Sequence, residues 1–320
     1  MAQPGWQGLR LSDTLGGDGL DVVQSVLELI GRTPVLELHP AGLGRDVHLF
    51  AKLEMFNPGG SIKDRLGRYL IDAALRDGRL KPGGTVIEPT AGNTGIGLAL
   101  AAVGRGIDVV LVVPEHFSRE KQALMRALGG EVVNTPREGG MLAAIEEAHR
   151  IARERGGYVP QQFANPDNPD AHYLSTGPEL YEQLDGRVDV LVAGAGTGGT
   201  LTGVARYLKE QRPETKVVLV QPEGSVFAGG PAGRHRVEGI GNEFVPKTLD
   251  LSLVDEIETV SDEDSFAAVG RLGREAGLLV GSSSGAAYVA ALRQAEKIQR
   301  GNIATIFVDS SERYLSCNIY

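Results

Sequence analysis

The sequence predicts an α/β fold with two lobes, each a mostly parallel twisted sheet covered by helices. Short apolar runs rich in β-branched residues alternate with segments of helical period, which is the pattern of parallel sheets. The 44 glycines among 320 residues are about twice the usual share. Several glycine clusters directly follow apolar runs, where open α/β sheets bind ligands. A single hydrophobic core stops growing at roughly 250–300 residues, so we expect two lobes.

Seven apolar runs bounded by turn residues predict strands, at 47–53, 85–88, 108–114, 131–134, 188–193, 216–221 and 304–308. Helical period predicts helices at 94–103, 118–128, 141–155, 200–210, 262–275 and 285–299. A further helix follows Ser61, which forms a capping-box pattern with Asp64 and places Lys63 in the first turn. The Gly156–Gly157 pair and the segment 165–169 break this pattern, and we interpret them as the crossing between lobes.

Composition argues against several classes of function. The net charge is −9 and no basic patch carries interleaved aromatic residues, so we expect no nucleic-acid partner. No apolar stretch approaches the roughly 20 residues of a membrane span, and residues 1–21 lack the apolar core of a signal peptide, so we expect a cytoplasmic protein without membrane contact. Cys317 is the only cysteine and the six histidines are scattered, so we expect neither a disulfide nor a metal site.

The glycine cluster at 194–200 follows a predicted strand and opens a helix, so its amides and the positive helix end can hold an anion. The cluster also matches G-x-G-x-x-G, and Glu223 lies about 24 residues further on. An NAD-dependent dehydrogenase using this turn is therefore an alternative, and a tight turn without a ligand is another. The hydroxyls of Thr197 and Thr200 favour a terminal phosphate monoester.

The cluster at 281–285 matches G-x-S-x-G, the nucleophile elbow of serine hydrolases. The triad of those hydrolases runs serine, acid, histidine along the chain, whereas no histidine follows His235 here. The elbow interpretation therefore fails. The cluster predicts either a hydroxyl-rich turn at the same rim or an ordinary helix start.

Two further clusters complete the predicted rim. The segment 90–97 offers backbone amides and the side chains of Thr90, Asn93 and Thr94, and such nests bind carboxylates. The segment 57–60 leads into Lys63, where the helix dipole and burial both disfavour a charged amine. Taken alone, Lys63 is most simply a solvated surface lysine. Beside the other clusters it is a candidate nucleophilic amine.

An amine, a phosphate site, a carboxylate site and a neutral hydroxyl together suggest pyridoxal 5′-phosphate bound to a lysine. At these positions the sequence resembles the cysteine synthase and cystathionine β-synthase family, fold type II among pyridoxal-phosphate enzymes. The resemblance covers nearly all of residues 22–316, and its loop features are closer to cystathionine β-synthase. The motifs that carry it are Asn57-Pro58-Gly59-Gly60-Ser61-Ile62-Lys63-Asp64-Arg65, Pro89-Thr90-Ala91-Gly92-Asn93-Thr94-Gly95, Gly196-Thr197-Gly198-Gly199-Thr200, Ser283-Ser284-Gly285 and Ser311-Glu312-Arg313-Tyr314-Leu315.

The resemblance implies a role for each cofactor-binding residue. Lys63 would form the internal aldimine and would later remove the α-proton of the substrate. Asn93 would bond the phenolic oxygen of the ring, and Ser283 would face the pyridine nitrogen. A neutral serine there makes the ring a weaker electron sink, which favours β-elimination over transamination. The residues that would hold the phosphate are Gly196, Thr197, Gly198, Gly199 and Thr200.

The resemblance also implies β-replacement on O-acetyl-L-serine or L-serine through an α-aminoacrylate, with homocysteine or sulfide as the thiol. The residues implied to bind substrate are Thr90, Ala91, Gly92, Asn93, Thr94, Gln162, Glu238, Gly239 and Glu243. The family commonly has serine where Ala91 stands, so one hydroxyl contact is missing. Sulfide-using cysteine synthases generally lack the acids Glu238 and Glu243. A carboxylate at the entrance can pair with the ammonium of homocysteine, so homocysteine is slightly favoured over sulfide as the acceptor thiol. The alternative is that these acids are only solvated loop charges.

The resemblance finally implies the domain organisation. Residues 1–20 would form a flexible arm, residues 21–47 and 157–320 the larger cofactor-binding lobe, and residues 48–156 a smaller mobile substrate-binding lobe. The family is usually dimeric, so we expect a homodimer. A relative that binds the cofactor without turnover is a third possibility, and the intact Lys63, Asn93, Gln162 and Ser283 argue against it.

Overall fold

The computed structural model describes residues 22–90 and 92–320, and in this part of the chain nine strands form two sheets. The predicted arm at 1–20 lies outside the described residues. The strands are β1 (Val35–Leu38), β2 (Asp46–Leu53), β3 (Thr85–Pro89), β4 (Asp108–Pro114), β5 (Glu131–Thr135), β6 (Val190–Gly194), β7 (Lys216–Pro222), β8 (Glu256–Val260) and β9 (Arg300–Phe307).

The larger sheet has six strands in the order β1-β2-β9-β6-β7-β8, and the smaller has three in the order β3-β4-β5. Every neighbouring pair is parallel except β1 and β2, which are antiparallel. The prediction of an α/β fold with mostly parallel sheets is confirmed.

The sequence did not predict β1 and β8, which form the two edges of the larger sheet. Both strands are short, and polar residues interrupt them at Glu37 in β1 and at Glu258 in β8. Edge strands of natural sheets carry such residues because one side has no partner strand. These strands therefore lack the continuous apolar run that identifies the central strands.

Nine α-helices lie in the described part of the chain, and seven of them correspond to predicted ones. They are α1 (Lys63–Asp77), α2 (Asn93–Ala102), α3 (Arg119–Ala127), α4 (Gly140–Arg155), α5 (Asp167–Tyr173), α6 (Thr176–Gln183), α7 (Gly199–Gln211), α8 (Asp262–Ala276) and α9 (Ser282–Lys297).

Helix α5 was not predicted, and it begins inside the segment interpreted as the crossing between lobes. Pro166 is its N-cap and Pro169 lies in its first turn. A proline is tolerated there because the first amides of a helix have no intrahelical acceptor. The prolines that suggested a break in the pattern therefore mark the start of a helix.

Both sheets are covered on both faces, which explains their apolar runs. In β4, Leu111 packs with α1 and α2, whereas its neighbours Val110 and Val112 pack against α4 on the other face. In the larger sheet, one face packs against α6 and α7 and the other against α8 and α9. Strand β2 pairs along its whole length with β9, so the predicted lobe boundary between residues 47 and 48 falls inside a strand of the larger sheet.

Helices α1 and α2 cross with their backbones in direct contact. A Cβ atom on Gly67 would overlap the backbone of Gly97, and one on Gly97 would overlap the carbonyl of Lys63. Only glycine permits this approach. The crossing fixes the first turn of α1, which carries Lys63, against the helix that begins at Asn93.

Candidate active site

Four helices, α1, α2, α7 and α9, begin at one cleft between the two sheets. Asp309 forms backbone or side-chain contacts with the segments at the start of three of them. Asp309 follows β9 and forms an isolated bridge with Ser61, just before α1. Its carbonyl accepts the amide of Gly281 at 3.1 Å, just before α9. Its carboxylate Oδ2 accepts the side-chain amide of Asn93, at the start of α2, at 2.6 Å. The strand ends and helix starts expected at one rim are therefore assembled there.

Lys63 is the first residue of α1, as predicted, and its side chain is half-buried. Burial lowers the pKa of Lys63 to about 8, and the neighbouring carboxylate of Asp309 partly opposes that shift. The expected capping box between Ser61 and Asp64 is wrong, because the N-cap of α1 is Ile62. Ser61 Oγ accepts the amide of Lys63 at 3.2 Å, and the carboxylate of Asp64 accepts the amide of Gly59 at 2.5 Å. The amine is thus a base poised near neutral pH.

A network of side chains surrounds Asp309, and the sequence motifs assigned it no role. Tyr314 donates its hydroxyl to Asp309 Oδ2 at 2.5 Å, and Arg313 donates to Asn93 Oδ1 at 2.8 Å and to the carbonyl of Gly59 at 2.7 Å. Burial and the nearby Asp309 hold the pKa of Tyr314 well above its usual value. The position of Asp309 at the end of a strand was the signal that could have identified it.

The segment 196–200 forms an anion cradle between β6 and α7. Among the described residues, no group accepts a hydrogen bond from the amides of Gly196, Thr197, Gly198 or Thr200. Gly198 has φ +83°, which L-residues rarely adopt, and a Cβ there would also overlap Leu249. The free amides and the N-terminus of a 13-residue helix together favour a bound anion.

Two buried side chains behind the cradle were missed by sequence reasoning. Asn168 donates to Thr197 Oγ1 at 2.9 Å and fills the space where a Cβ of Gly199 would lie. His172 Nε2 lies 3.2 Å from Thr200 Oγ1. Burial, with nearby Lys63 and Arg65, lowers the pKa of His172 well below its usual value, so the ring is neutral. Neither residue lies in a glycine cluster, and their helix α5 was itself not predicted.

The predicted carboxylate-binding residues meet at the start of α2. Thr94 donates its hydroxyl to Gln162 Oε1 at 2.7 Å, and Gly92 donates its amide to Thr90 Oγ1 at 3.3 Å. Thr90, Thr94 and Gln162 are buried. Ala91, the position where serine was expected, lies outside the described residues.

The loop at 238–243 contains three residues predicted to bind substrate, and it contacts the start of α9 through the amide of Glu238, which donates to Ser282 Oγ at 3.1 Å. A Cβ built on Gly239 would lie 3.9 Å from Ser283 Oγ, which has no hydrogen-bond partner among the described residues. Glu238 accepts the ammonium of Lys121 at 2.7 Å, whereas Glu243 is exposed. Gly239 and Ser283 are therefore neighbours, and Lys121 already balances the charge of Glu238.

The arrangement fits pyridoxal phosphate: unpaired amides for a phosphate, a lysine amine with a lowered pKa and a hydroxyl without a partner lie around one cleft. The chain belongs to the pyridoxal-phosphate dependent enzyme family, whose sequence pattern matches residues 26–309. It is a pyridoxal-phosphate enzyme of fold type II, as the motifs predicted.

Among the relatives of this chain are a cystathionine beta-synthase and a cysteine synthase. The chain is 52% identical over 303 residues to an O-acetylserine dependent cystathionine beta-synthase of Bacillus subtilis, covering 94% of this chain and 99% of that protein. It is 47% identical over 305 residues to a cysteine synthase of Helicobacter pylori, covering 93% and 99%. The crystal structure of an O-acetylserine dependent cystathionine beta-synthase from Helicobacter pylori superposes with a TM-score of 0.90 at 46% identity, over 93% of this chain and 99% of that chain.

Family membership gives no support to the nicotinamide alternative for the cradle. Among residues 22–90 and 92–320, no group of three or more His, Cys, Asp or Glu side chains is arranged to hold a metal ion. In the same part of the chain, no helix is both long and apolar enough to cross a bilayer.

Proposed function

We propose that this protein catalyses β-replacement on O-acetyl-L-serine or L-serine, with homocysteine or sulfide as the incoming thiol. The observation that carries the proposal is the position of Lys63, which lies between a phosphate cradle made of backbone amides and a loop suited to a carboxylate. The names of the Bacillus subtilis and Helicobacter pylori relatives support both acceptors. The neutral Ser283 favours loss of a β-substituent over transamination.

Bound pyridoxal phosphate supplies stabilisation of negative charge at the α-carbon of the substrate. Lys63 Nζ takes the α-proton, and a pKa of about 8 makes the amine an effective base near neutral pH. The amides of Gly196 to Thr200 bind the phosphate. In the His172 tautomer with its proton on Nε2, the ring donates to Thr200 Oγ1, so the Thr200 hydroxyl hydrogen is free for a phosphate oxygen.

The substrate carboxylate binds at the start of α2, where the positive helix end favours an anion. The backbone amides of Asn93 and Thr94, the hydroxyl of Thr90 and the side-chain amide of Gln162 supply the hydrogen-bond donors. Gly92 and, by sequence, Ala91 belong to the same loop. Because Thr94 already bonds to Gln162, the two side chains act as one unit. Asp309 and Arg313 fix the side-chain amide of Asn93, and one of its two Nδ2 hydrogens is left for the cofactor.

The acids of the 238–243 loop separate into two roles. Glu238 joins the loop to α3 through Lys121, whose side chain is 3% exposed, so it is a bridge across the cleft. Glu243 is exposed and makes no ion pair among the described residues, so it is the acid available for the ammonium of homocysteine. This division of roles favours homocysteine slightly over sulfide as the acceptor thiol.

The remaining expectations from the family resemblance are part of the proposal. The smaller lobe, beginning after β2 rather than at residue 48, closes on the substrate. The enzyme acts as a homodimer in the cytoplasm. The pairing of β2 with β9 supports the revised boundary.

The test is an assay of the purified, cofactor-loaded protein with each pairing of O-acetylserine or serine with homocysteine or sulfide. We expect O-acetylserine with homocysteine to give the fastest turnover, measured as cystathionine by mass spectrometry. Lys63→Ala should lose both the visible absorption of the lysine-bound cofactor and all four activities. Absence of product from every pairing, with the cofactor bound, would favour the non-catalytic alternative.

A further inference from the structure

Glu88 is a buried carboxylate near the cleft that the proposed mechanism does not use. It is the fourth residue of β3 and is 1% exposed. Among the described residues it forms no ion pair, and its two oxygens accept the backbone amides of Gln161 and Gln162 at 3.0 Å and 3.2 Å. A buried carboxylate without a cation is costly, so its position beside the candidate active site calls for a physical explanation.

The two amides belong to a strained turn. Gln161 has φ +56°, in the left-handed region that non-glycine residues rarely adopt. Such a conformation costs on the order of 1–2 kcal/mol and persists only where the surroundings hold it. Consecutive amides that point at one anion form a nest. The carboxylate of Glu88 is the anion that stabilises this turn.

The turn joins the substrate loop to the phosphate cradle. Gln162 Oε1 accepts the hydroxyl of Thr94, and the carbonyl of Gln162 accepts the side-chain amide of Asn168 at 2.7 Å. The same amide of Asn168 bonds to Thr197 in the cradle. The backbone conformation at Gln162 therefore affects both the substrate loop and the phosphate cradle. Glu88 holds that conformation through its bonds to the two backbone amides.

The charge state of Glu88 decides how well it holds the turn. Burial raises the pKa of Glu88 to about 7, and the backbone amides of Gln162 and Gln161 and the side chain of Gln162 partly oppose the shift. Tyr158 of the neighbouring segment interacts electrostatically with Glu88, and burial raises the pKa of that phenol to about 12, with Arg79 opposing. A protonated Glu88 loses one of its two acceptors, which weakens the turn as the pH falls through about 7.

We propose that Glu88 is a positioning residue for the amino-acid substrate: its carboxylate holds the strained Gln161–Gln162 turn, and so places Gln162 and Thr94 to bind the substrate carboxylate. The inference rests on the proposed function of this site. It assigns Glu88 no contact with substrate or cofactor.

The first test compares binding of L-alanine, an amino acid without a leaving group, to the cofactor-loaded wild type and to Glu88→Gln. Hydrogen bonds to charged groups contribute about 1.5–3 kcal/mol, so we expect the dissociation constant to rise at least about tenfold near pH 8. The ratio of the two constants should fall toward one near pH 6, because Glu88 is then protonated in the wild type too. With O-acetylserine, KM should rise while kcat changes less than about threefold.

The matched control is Glu258→Gln, which changes a buried strand glutamate of the other sheet that bonds to Gln294 and Lys297. We expect it to leave L-alanine binding unchanged. The second readout is amide hydrogen exchange over residues 158–164, which should become faster in Glu88→Gln and stay unchanged in the control. Exchange needs no turnover, so it tests Glu88 even if the proposed reaction fails.

Two outcomes would overturn the inference. One is L-alanine affinity within twofold of the wild type near pH 8, and the other is unchanged exchange over residues 158–164. If Glu88→Gln does not fold, Glu88→Asp provides the test, because the shorter side chain keeps the negative charge but places it farther from the two amides. We expect that variant to bind L-alanine about threefold more weakly with the pH dependence retained; unchanged affinity in it would refute the proposal.

Discussion

The two walls of the cleft are built in different ways. The wall of the larger sheet presents backbone amides of the segment 196–200, held by the packing of glycines against Asn168 and Leu249. The wall that includes the start of α2 presents side chains held by polar contacts, such as Asn93 with Asp309 and Thr94 with Gln162. The cradle at 196–200 contains no ionisable side chain, whereas the second wall includes the carboxylate of Asp309 and the guanidinium of Arg313.

This difference separates the two tasks of the site. Backbone amides fixed by close packing change little with pH, which suits a cofactor that stays bound through many turnovers. Polar side-chain contacts between two sheets form and break at small energy, which suits a substrate that enters and leaves. Added volume should therefore damage the first wall, and changes of charge should damage the second.

The largest effect is expected from Gly199→Ala in the cradle. The new Cβ would overlap the side-chain amide of Asn168, which bonds to Thr197, so the cradle must open. We expect cofactor affinity to fall by about a hundredfold or more, since several hydrogen bonds to the phosphate weaken together. Equilibrium dialysis of pyridoxal phosphate against the folded variant measures it.

The control for this variant is Gly230→Ala, where a Cβ meets no atom within 4 Å. It should bind the cofactor like the wild type. Near-normal affinity of Gly199→Ala for pyridoxal phosphate would show that packing does not hold the cradle.

The same contrast explains how much of the site the sequence could predict. Glycine clusters after strands predicted the cradle and the substrate loop, because close backbone approach demands glycine and leaves a visible pattern. Asp309, Asn168 and His172 were missed because their roles arise from contacts between segments far apart in sequence. Strands β1 and β8 were missed for a related reason, since edge strands lack the apolar run that pairing on both sides requires.

We expect kinetic effects of intermediate size when the two acids of the 238–243 loop are substituted. These substitutions test the substrate-binding part of the site. Glu238→Gln leaves the nearly buried ammonium of Lys121 without its carboxylate, so we expect kcat/KM to fall about tenfold with either thiol. Glu243→Gln removes an exposed charge and should raise KM for homocysteine about two- to fivefold. Sulfide carries no ammonium, so its KM should not change.

Steady-state kinetics with the two thiols distinguishes these roles. Equal effects of Glu243→Gln on homocysteine and sulfide would remove Glu243 as an acceptor-binding residue. A selective effect of Glu238→Gln on homocysteine would reverse the assignment and make Glu238 the recognition acid.

We expect the smallest effect from substitution of Lys63, measured as the stability of the cofactor-free protein. The folded-state pKa of Lys63 is about 8, below its ordinary value of 10.5, so between these pH values the unfolded chain holds more protons. The stability contributed at this position therefore rises with pH across that window. At neutral pH the folded state carries the penalty of a desolvated ammonium, which Lys63→Met removes.

We expect Lys63→Met to raise the Tm of the cofactor-free protein by about 2 °C near pH 7, and this gain to shrink as the pH approaches 10. The exposed Lys81→Met serves as the control and should give a difference that does not change over the same range. Calorimetry at the two pH values measures both. If the increase in Tm for Lys63→Met stayed constant with pH, the amine of Lys63 would not be desolvated in the folded protein. Lys63 would then not be the titrating base assigned to the second wall.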